Sequence, residues 1–183
     1  KPVIKSLIRK KILNLRKRNN NKNIKFPYLK IYKEIKKKIS KKKIIGGYYP
    51  VNFEIDILYF LKKLESRDIR ICLPVVKKNN EMDYYAWSTK SLLKLNQYGI
   101  PEPEKIKKVF PDIIFIPLVA FDNKMYRIGY GGGYYDRYIA KVSNEKNLFK
   151  VGIAYSFQKI NKVPITKYDK KLDIIITEKY ILR

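Results

Sequence analysis

Five short runs, residues 44–49, 70–76, 113–119, 151–156 and 173–177, are apolar with almost no interruption. A strand with one wet face alternates polar and apolar residues, so unbroken apolarity means that both faces are covered, as in a parallel sheet held between helices. Helical spacing occurs between the runs: Ile57, Leu58, Leu61 and Leu64 share a face within 53–64, and a helical stretch begins near Tyr134. The expected class is α/β, a mostly parallel sheet flanked by helices on both faces, in a Rossmann-like three-layer sandwich. Residues 77–110, with Pro101 and Pro103, lack either period and are expected to form a short hairpin plus loops over one end of the sheet. There is no internal repeat, and one domain covering 1–183 is expected.

Residues 1–43 precede the first run and have a different texture. Ile4, Leu7, Ile8, Ile12 and Leu15 make one apolar stripe; Asn19, Asn20, Asn21, Asn23 and Pro27 interrupt it; Tyr28, Ile31, Tyr32, Ile35 and Ile39 make a second. Two helices are expected, packed on the domain through these stripes. The segment holds 18 Lys and Arg and one acid, Glu34, so it carries +17 of the chain's +26. Such a charge suggests a polyanion partner. Of the 42 basic residues, however, 34 are Lys and 8 are Arg, an excess that reads as drift toward A/T-rich codons rather than as phosphate recognition. Nucleic acid is therefore not expected as a partner. A basic RNA-binding arm stays as the competing reading, and it would show affinity falling steeply with salt.

The chain has no histidine, and Cys72 is its one cysteine. An internal disulfide, a Cys/His zinc site and any mechanism with a histidine base are excluded. Chemistry must come from carboxylates, Lys, Arg, Tyr, backbone groups or a hard oxygen-bound metal such as Mg²⁺. Cys72 and Trp87 read as structural. The longest apolar stretches, such as 113–121 with Pro117 inside it, are too short to span a bilayer, and no signal-like apolar segment is visible. A cytoplasmic monomer without a membrane partner is expected.

Half of the eight glycines lie in one place, Arg127-Ile128-Gly129-Tyr130-Gly131-Gly132-Gly133-Tyr134-Tyr135-Asp136-Arg137. The loop follows a strand region and opens a helix, so its amides and the positive helix end can converge on one anion. It lacks the Gly-Lys-Ser/Thr ending of a P-loop, and Tyr134 stands where the dinucleotide fingerprint needs its third glycine. Arg127 before it and Asp136 with Arg137 after it supply a phosphate clamp and a candidate Mg²⁺ ligand.

This loop resembles the signature of the 5-formyltetrahydrofolate cyclo-ligases, also called 5,10-methenyltetrahydrofolate synthetases. Further pieces fall in the family's order: Lys5 with Arg9, Tyr49-Pro50 with Glu54, Leu73-Pro74-Val75, Gly99-Ile100-Pro101-Glu102-Pro103, Phe121-Asp122, Gln158, Val163-Pro164 and Asp169, with Asp173 to Glu178 closing the chain. The resemblance implies ring closure of 5-formyltetrahydrofolate to 5,10-methenyltetrahydrofolate, with ATP as co-substrate, Mg²⁺ as cofactor, and an iminium phosphate formed when the formyl oxygen attacks the γ-phosphoryl group. It implies that Lys5, Arg9 and residues 127–135, namely Arg127, Ile128, Gly129, Tyr130, Gly131, Gly132, Gly133, Tyr134 and Tyr135, bind ATP. It also implies that Tyr49, Glu54, Tyr130, Gly131, Gly132, Gly133 and Tyr134 contact the folate, that Asp136 and Asp169 hold Mg²⁺, and that Arg127 and Asp136 are the catalytic pair. One departure is Tyr168, where many relatives carry His before the metal aspartate. An inactive relative kept as a binding protein is a third reading.

Overall fold

The five apolar runs become five parallel strands. The computed structural model describes residues 2–20, 24, 26–39, 43–143 and 146–183; Asn21 and Asn23 of the expected helix break lie outside them. The elements are α1 (Pro2–Asn19), α2 (Tyr28–Ile35), β1 (Ile44–Gly46), α3 (Leu58–Glu65), β2 (Arg70–Val76), β3 (Met82–Trp87), β4 (Leu93–Leu95), β5 (Pro101–Pro103), β6 (Lys108–Val109), β7 (Ile113–Pro117), β8 (Ala120–Phe121), β9 (Arg127–Ile128), α4 (Tyr134–Val142), β10 (Phe149–Ile153), β11 (Ile174–Ile176) and β12 (Ile181–Leu182). The main sheet runs β12-β11-β10-β7-β1-β2-β3-β6. Its interior, β11-β10-β7-β1-β2, is parallel throughout, and β12, β3 and β6 are antiparallel additions at the two edges.

Each sheet face has its own core. On one, Ile31 and Ile35 of α2 and Phe60, Leu61 and Leu64 of α3 cover Ile45, Ile71, Phe115 and Val151. On the other, Tyr138, Ile139 and Val142 of α4 cover Cys72, Tyr84, Ile114 and Ile175. Alternate residues of β7 feed opposite cores, which is why its run could not alternate in polarity. Among the described residues, no helix is long and apolar enough to cross a membrane.

Three expectations need correction. The helix expected over 53–64 begins only at Leu58, because Asn52 and Phe53 adopt positive φ (49° and 60°) and break the helical path. Residues 82–87 form a full strand of the main sheet rather than part of an irregular hairpin. Its pattern is obscured by Asp83, which is buried and neutralised by Lys77, Lys108 and Lys141. The third correction concerns α1. Ile4 and Leu7 are exposed (52% and 64%), and the face turned inward is Lys5, Arg9, Ile12 and Arg16. The helix lies against strand-end carbonyls and carboxylates, a surface rich in acceptors, so its donors face inward. Of the first stripe, Ile12 is fully buried against Val119, Ala120, Ile128 and Val163, with Ile8 and Leu15 partly buried on the same cluster, so the stripe docks except for Ile4 and Leu7.

Candidate active site

In the parallel part of the sheet the spatial order of strands is second, first, third, fourth, fifth along the chain. The connections leave β1 and β7 in opposite directions, and such a reversal opens a crevice beyond the strands' carboxyl ends where ligands settle. Residues after β1 and after β7 form the two walls here.

After β7 the chain makes a small hairpin, β8 with β9, before the glycine loop. Buried Asp122 organises it: Oδ1 accepts from Lys124 N (2.9 Å) and Tyr126 N (3.1 Å), and Oδ2 accepts from Val163 N (2.9 Å). The hairpin delivers Arg127, itself 6% exposed, to the start of the loop. Gly131 (φ 111°) and Gly133 (φ 68°) take conformations that a side chain would resist, and Gly133 leads directly into the first turn of α4. The helix's amino end thus opens at the loop, with Asp136 in its first turn.

A cavity of about 220 Å³ is lined by Lys5, Arg9, Pro117, residues 127–136 and Asp169. Arg127 ties the far wall together: Nη2 donates to Asp136 Oδ1 (2.9 Å) and Nη1 to Lys170 O (2.7 Å), while Lys170 N donates to the same Asp136 oxygen (2.9 Å). Those bonds dock segment 169–170 beside the start of α4 and so bring Asp169 to the cavity. From α1, Lys5 Nζ reaches Asp169 Oδ2 at 2.8 Å, and Arg9 Nε donates to Gly129 O at 2.7 Å. Burial raises the Asp169 carboxyl, but the bonds from Lys5 and Thr166 outweigh it and leave its pKa below the usual value. Tyr168 is 69% exposed, with Lys167 over its ring, and Asp169 takes its bonds from Lys5 and Thr166.

The second wall is separate from this cavity. Tyr49 is half-buried after β1, and Glu54 lies in the turn that follows, its Oε2 accepting from Val51 N at 2.9 Å. Its Oε1 is sealed from solvent without a partner. Burial pushes the Glu54 pKa up to about 7 against the restraining effects of Val51 N, the Arg16 charge and the Tyr130 hydroxyl. Tyr130 therefore joins the two walls: it lines the cavity, and its hydroxyl accepts from Arg16 Nη1 at 2.7 Å on the side of Glu54.

The structure thus brings Lys5, Arg9, the whole 127–136 segment and Asp169 to one cavity and sets Glu54 behind Tyr130. Arg137 does not join them: Nε donates to Asn80 O (2.9 Å) and Nη2 to Gly132 O, so it braces the loop instead of clamping an anion in the cavity. Arg16 was missed by sequence reasoning. Its signal was its position seven residues after Arg9, on the same helix face, but in a segment with 18 bases one more arginine does not stand out.

A family model described as the 5-formyltetrahydrofolate cyclo-ligase family matches residues 3–178. The 5-formyltetrahydrofolate cyclo-ligase of Haemophilus influenzae is 34% identical over 142 residues, covering 73% of this chain and 75% of its own. That of Mycoplasma pneumoniae is 34% identical over 137 residues, 74% of this chain and 73% of its own. Among solved structures, the 5,10-methenyltetrahydrofolate synthetase of Aquifex aeolicus superposes with a TM-score of 0.75 at 31% identity over 98% of this chain and 92% of that one. With sequence and architecture agreeing over nearly its whole length, the chain belongs to the 5-formyltetrahydrofolate cyclo-ligase family.

Proposed function

We propose that residues 1–183 act as one catalytic domain that converts 5-formyltetrahydrofolate, ATP and Mg²⁺-dependently, to 5,10-methenyltetrahydrofolate, ADP and phosphate. The observation that carries this reading is the single cavity at the strand-order reversal. It gathers a glycine loop, a helix amino end, three cationic side chains and two carboxylates, and it adjoins a buried glutamate.

Phosphoryl transfer asks a protein mainly for positioning and for neutralisation of charge, so a site without histidine is no handicap. Lys5, Arg9, Arg127 and the amides of residues 129–135 bind the triphosphate. Glu54, Tyr49 and the 130–134 segment hold the folate with its formyl oxygen facing the γ-phosphorus. That oxygen attacks, the bond to the β-γ bridging oxygen breaks, and ADP leaves an iminium phosphate on N5. N10 then adds through its lone pair to the activated carbon and loses its proton, and the C–O bond to phosphate breaks to give the methenyl cation. Exclusion of water matters at this stage, because hydrolysis of the iminium phosphate would waste ATP.

The residues present fit a Mg²⁺ ion bound in the manner of nucleotide-metal complexes. Asp136 and Asp169 line one cavity, and among the described residues no group of three or more metal-ligating side chains exists. The ion would depend on phosphate oxygens and water for its remaining positions. When bound it would neutralise charge on the transferring phosphoryl group; holding it falls to Asp136 and Asp169, and Lys5 would be released from Asp169 toward the phosphates. The test is phosphate release from ATP with and without 5-formyltetrahydrofolate. Release only in the presence of the folate supports the reading, whereas release at the same rate without it contradicts it.

A further inference from the structure

Arg16 is 2% exposed, the most thoroughly buried charge of α1, yet it lines neither the phosphate cavity nor any ion pair with a carboxylate among its hydrogen bonds. A guanidinium taken out of water needs bonded donors; here both Nη groups are bonded, while Nε is buried without a partner. Its three acceptors are uncharged and come from three different segments: Leu118 O just past β7 (Nη2, 2.6 Å), Asn52 O in the turn after β1 (Nη1, 3.2 Å) and the Tyr130 hydroxyl in the glycine loop (Nη1, 2.7 Å).

Two of the three acceptors lead to the second wall, and the third anchors them to the end of β7. Asn52 and Phe53 hold positive φ, a conformation that side chains resist, in the turn that carries Glu54. Leu118 O is pinned from its other side by Gln158 Nε2 at 2.7 Å, so Arg16 grips a fixed point. The Tyr130 hydroxyl, accepting from Arg16, has its own proton free for Glu54. We propose that Arg16 is the positioning residue of the folate subsite. It clamps the Glu54 turn and the Tyr130 hydroxyl to the end of β7, so that the buried Glu54 carboxyl is held in place.

The proposal rests on the reading of Glu54 and Tyr130 as folate contacts, and the experiment separates the two. Steady-state KM values for both substrates are measured for wild type, Arg16→Met, Arg16→Lys and Glu54→Gln, together with the pH profile of kcat/KM for the folate and the melting temperature. Loss of a hydrogen bond to a charged group is worth roughly 10- to 100-fold. Arg16→Met is expected to raise the folate KM by about that factor with the ATP KM within about twofold. Its acid limb should move to higher pH, because the Arg16 charge favours the ionised Glu54 while the other groups facing that carboxyl, Tyr48, Tyr130 and Tyr135, are neutral acids. Arg16→Lys keeps the charge and loses the fork, so it should leave the limb in place, restore part of the affinity and stay folded if the methionine variant does not. Equal rises in both KM values, or an unchanged folate KM in Arg16→Lys with the limb unmoved in Arg16→Met, overturn the role. An unchanged folate KM in Glu54→Gln overturns the folate reading, and the proposal with it.

Discussion

Asp136 serves two masters. Its Oδ1 closes the bond pattern that joins Arg127 and Lys170 to the start of α4, and in the function proposed above its charge helps to hold Mg²⁺. Asp136→Asn keeps the shape and removes the charge, so turnover should fall by about 100-fold or more while the protein stays folded. Mg²⁺-dependent activity close to wild type would refute its role. Glu54 makes the opposite bargain. Its pKa is about 7 against an ordinary 4.5, so the folded state holds more protons than the unfolded one between those values and stability falls as pH rises through them. Glu54→Gln removes that liability: it should stabilise the fold by about 3 kcal/mol at pH 8 and by less than about 1 kcal/mol at pH 5, and abolish folate binding at both. Thermal melts at the two pH values give the check, and equal shifts would contradict it.

Elements whose role is to bury apolar surface were legible, and those that satisfy polar groups were not. The unbroken run 70–76 is β2 to the residue, because nothing but burial decides it. In contrast, β3 carries a buried aspartate that makes sense only once three lysines from other segments surround it, information absent from a local window. Helix α1 misled for the same reason. Its apolar stripe is genuine, yet the carbonyls it covers demand donors, and the helix turns its basic face to them. Ile12→Ala, fully buried, should therefore cost about 2–4 kcal/mol. Leu7→Ser, on the same sequence stripe but exposed, should stay within about 0.5 kcal/mol. Chemical denaturation of the two variants separates the docked part of the stripe from its exposed start, and a large loss in Leu7→Ser would mean that the first turns dock as well. At the site, the glycine loop was legible because conformation and charge are both local there. That Glu54 sits behind Tyr130, and that Arg16 joins them, follows from long-range closure of three segments.

Over the whole molecule, the charge of +26 is spread unevenly, and the site uses little of it. Lys33, Lys36, Lys37 and Lys38 belong to α2 and the turn after it, are exposed, and do not line the cavity. Replacing these four with Glu should leave kcat within about twofold, since exposed charges beyond a Debye length of about 8 Å are screened at physiological ionic strength. A collapse in rate would assign that segment a part in substrate capture. The central claim concerns the reaction itself, and absorbance tests it most directly. Purified protein is mixed with 5-formyltetrahydrofolate, ATP and Mg²⁺, and the near-UV band of the methenyl product, which the substrate lacks, is followed in time. The account predicts a rise that requires both ATP and Mg²⁺; a flat trace from folded protein that binds ATP would contradict it.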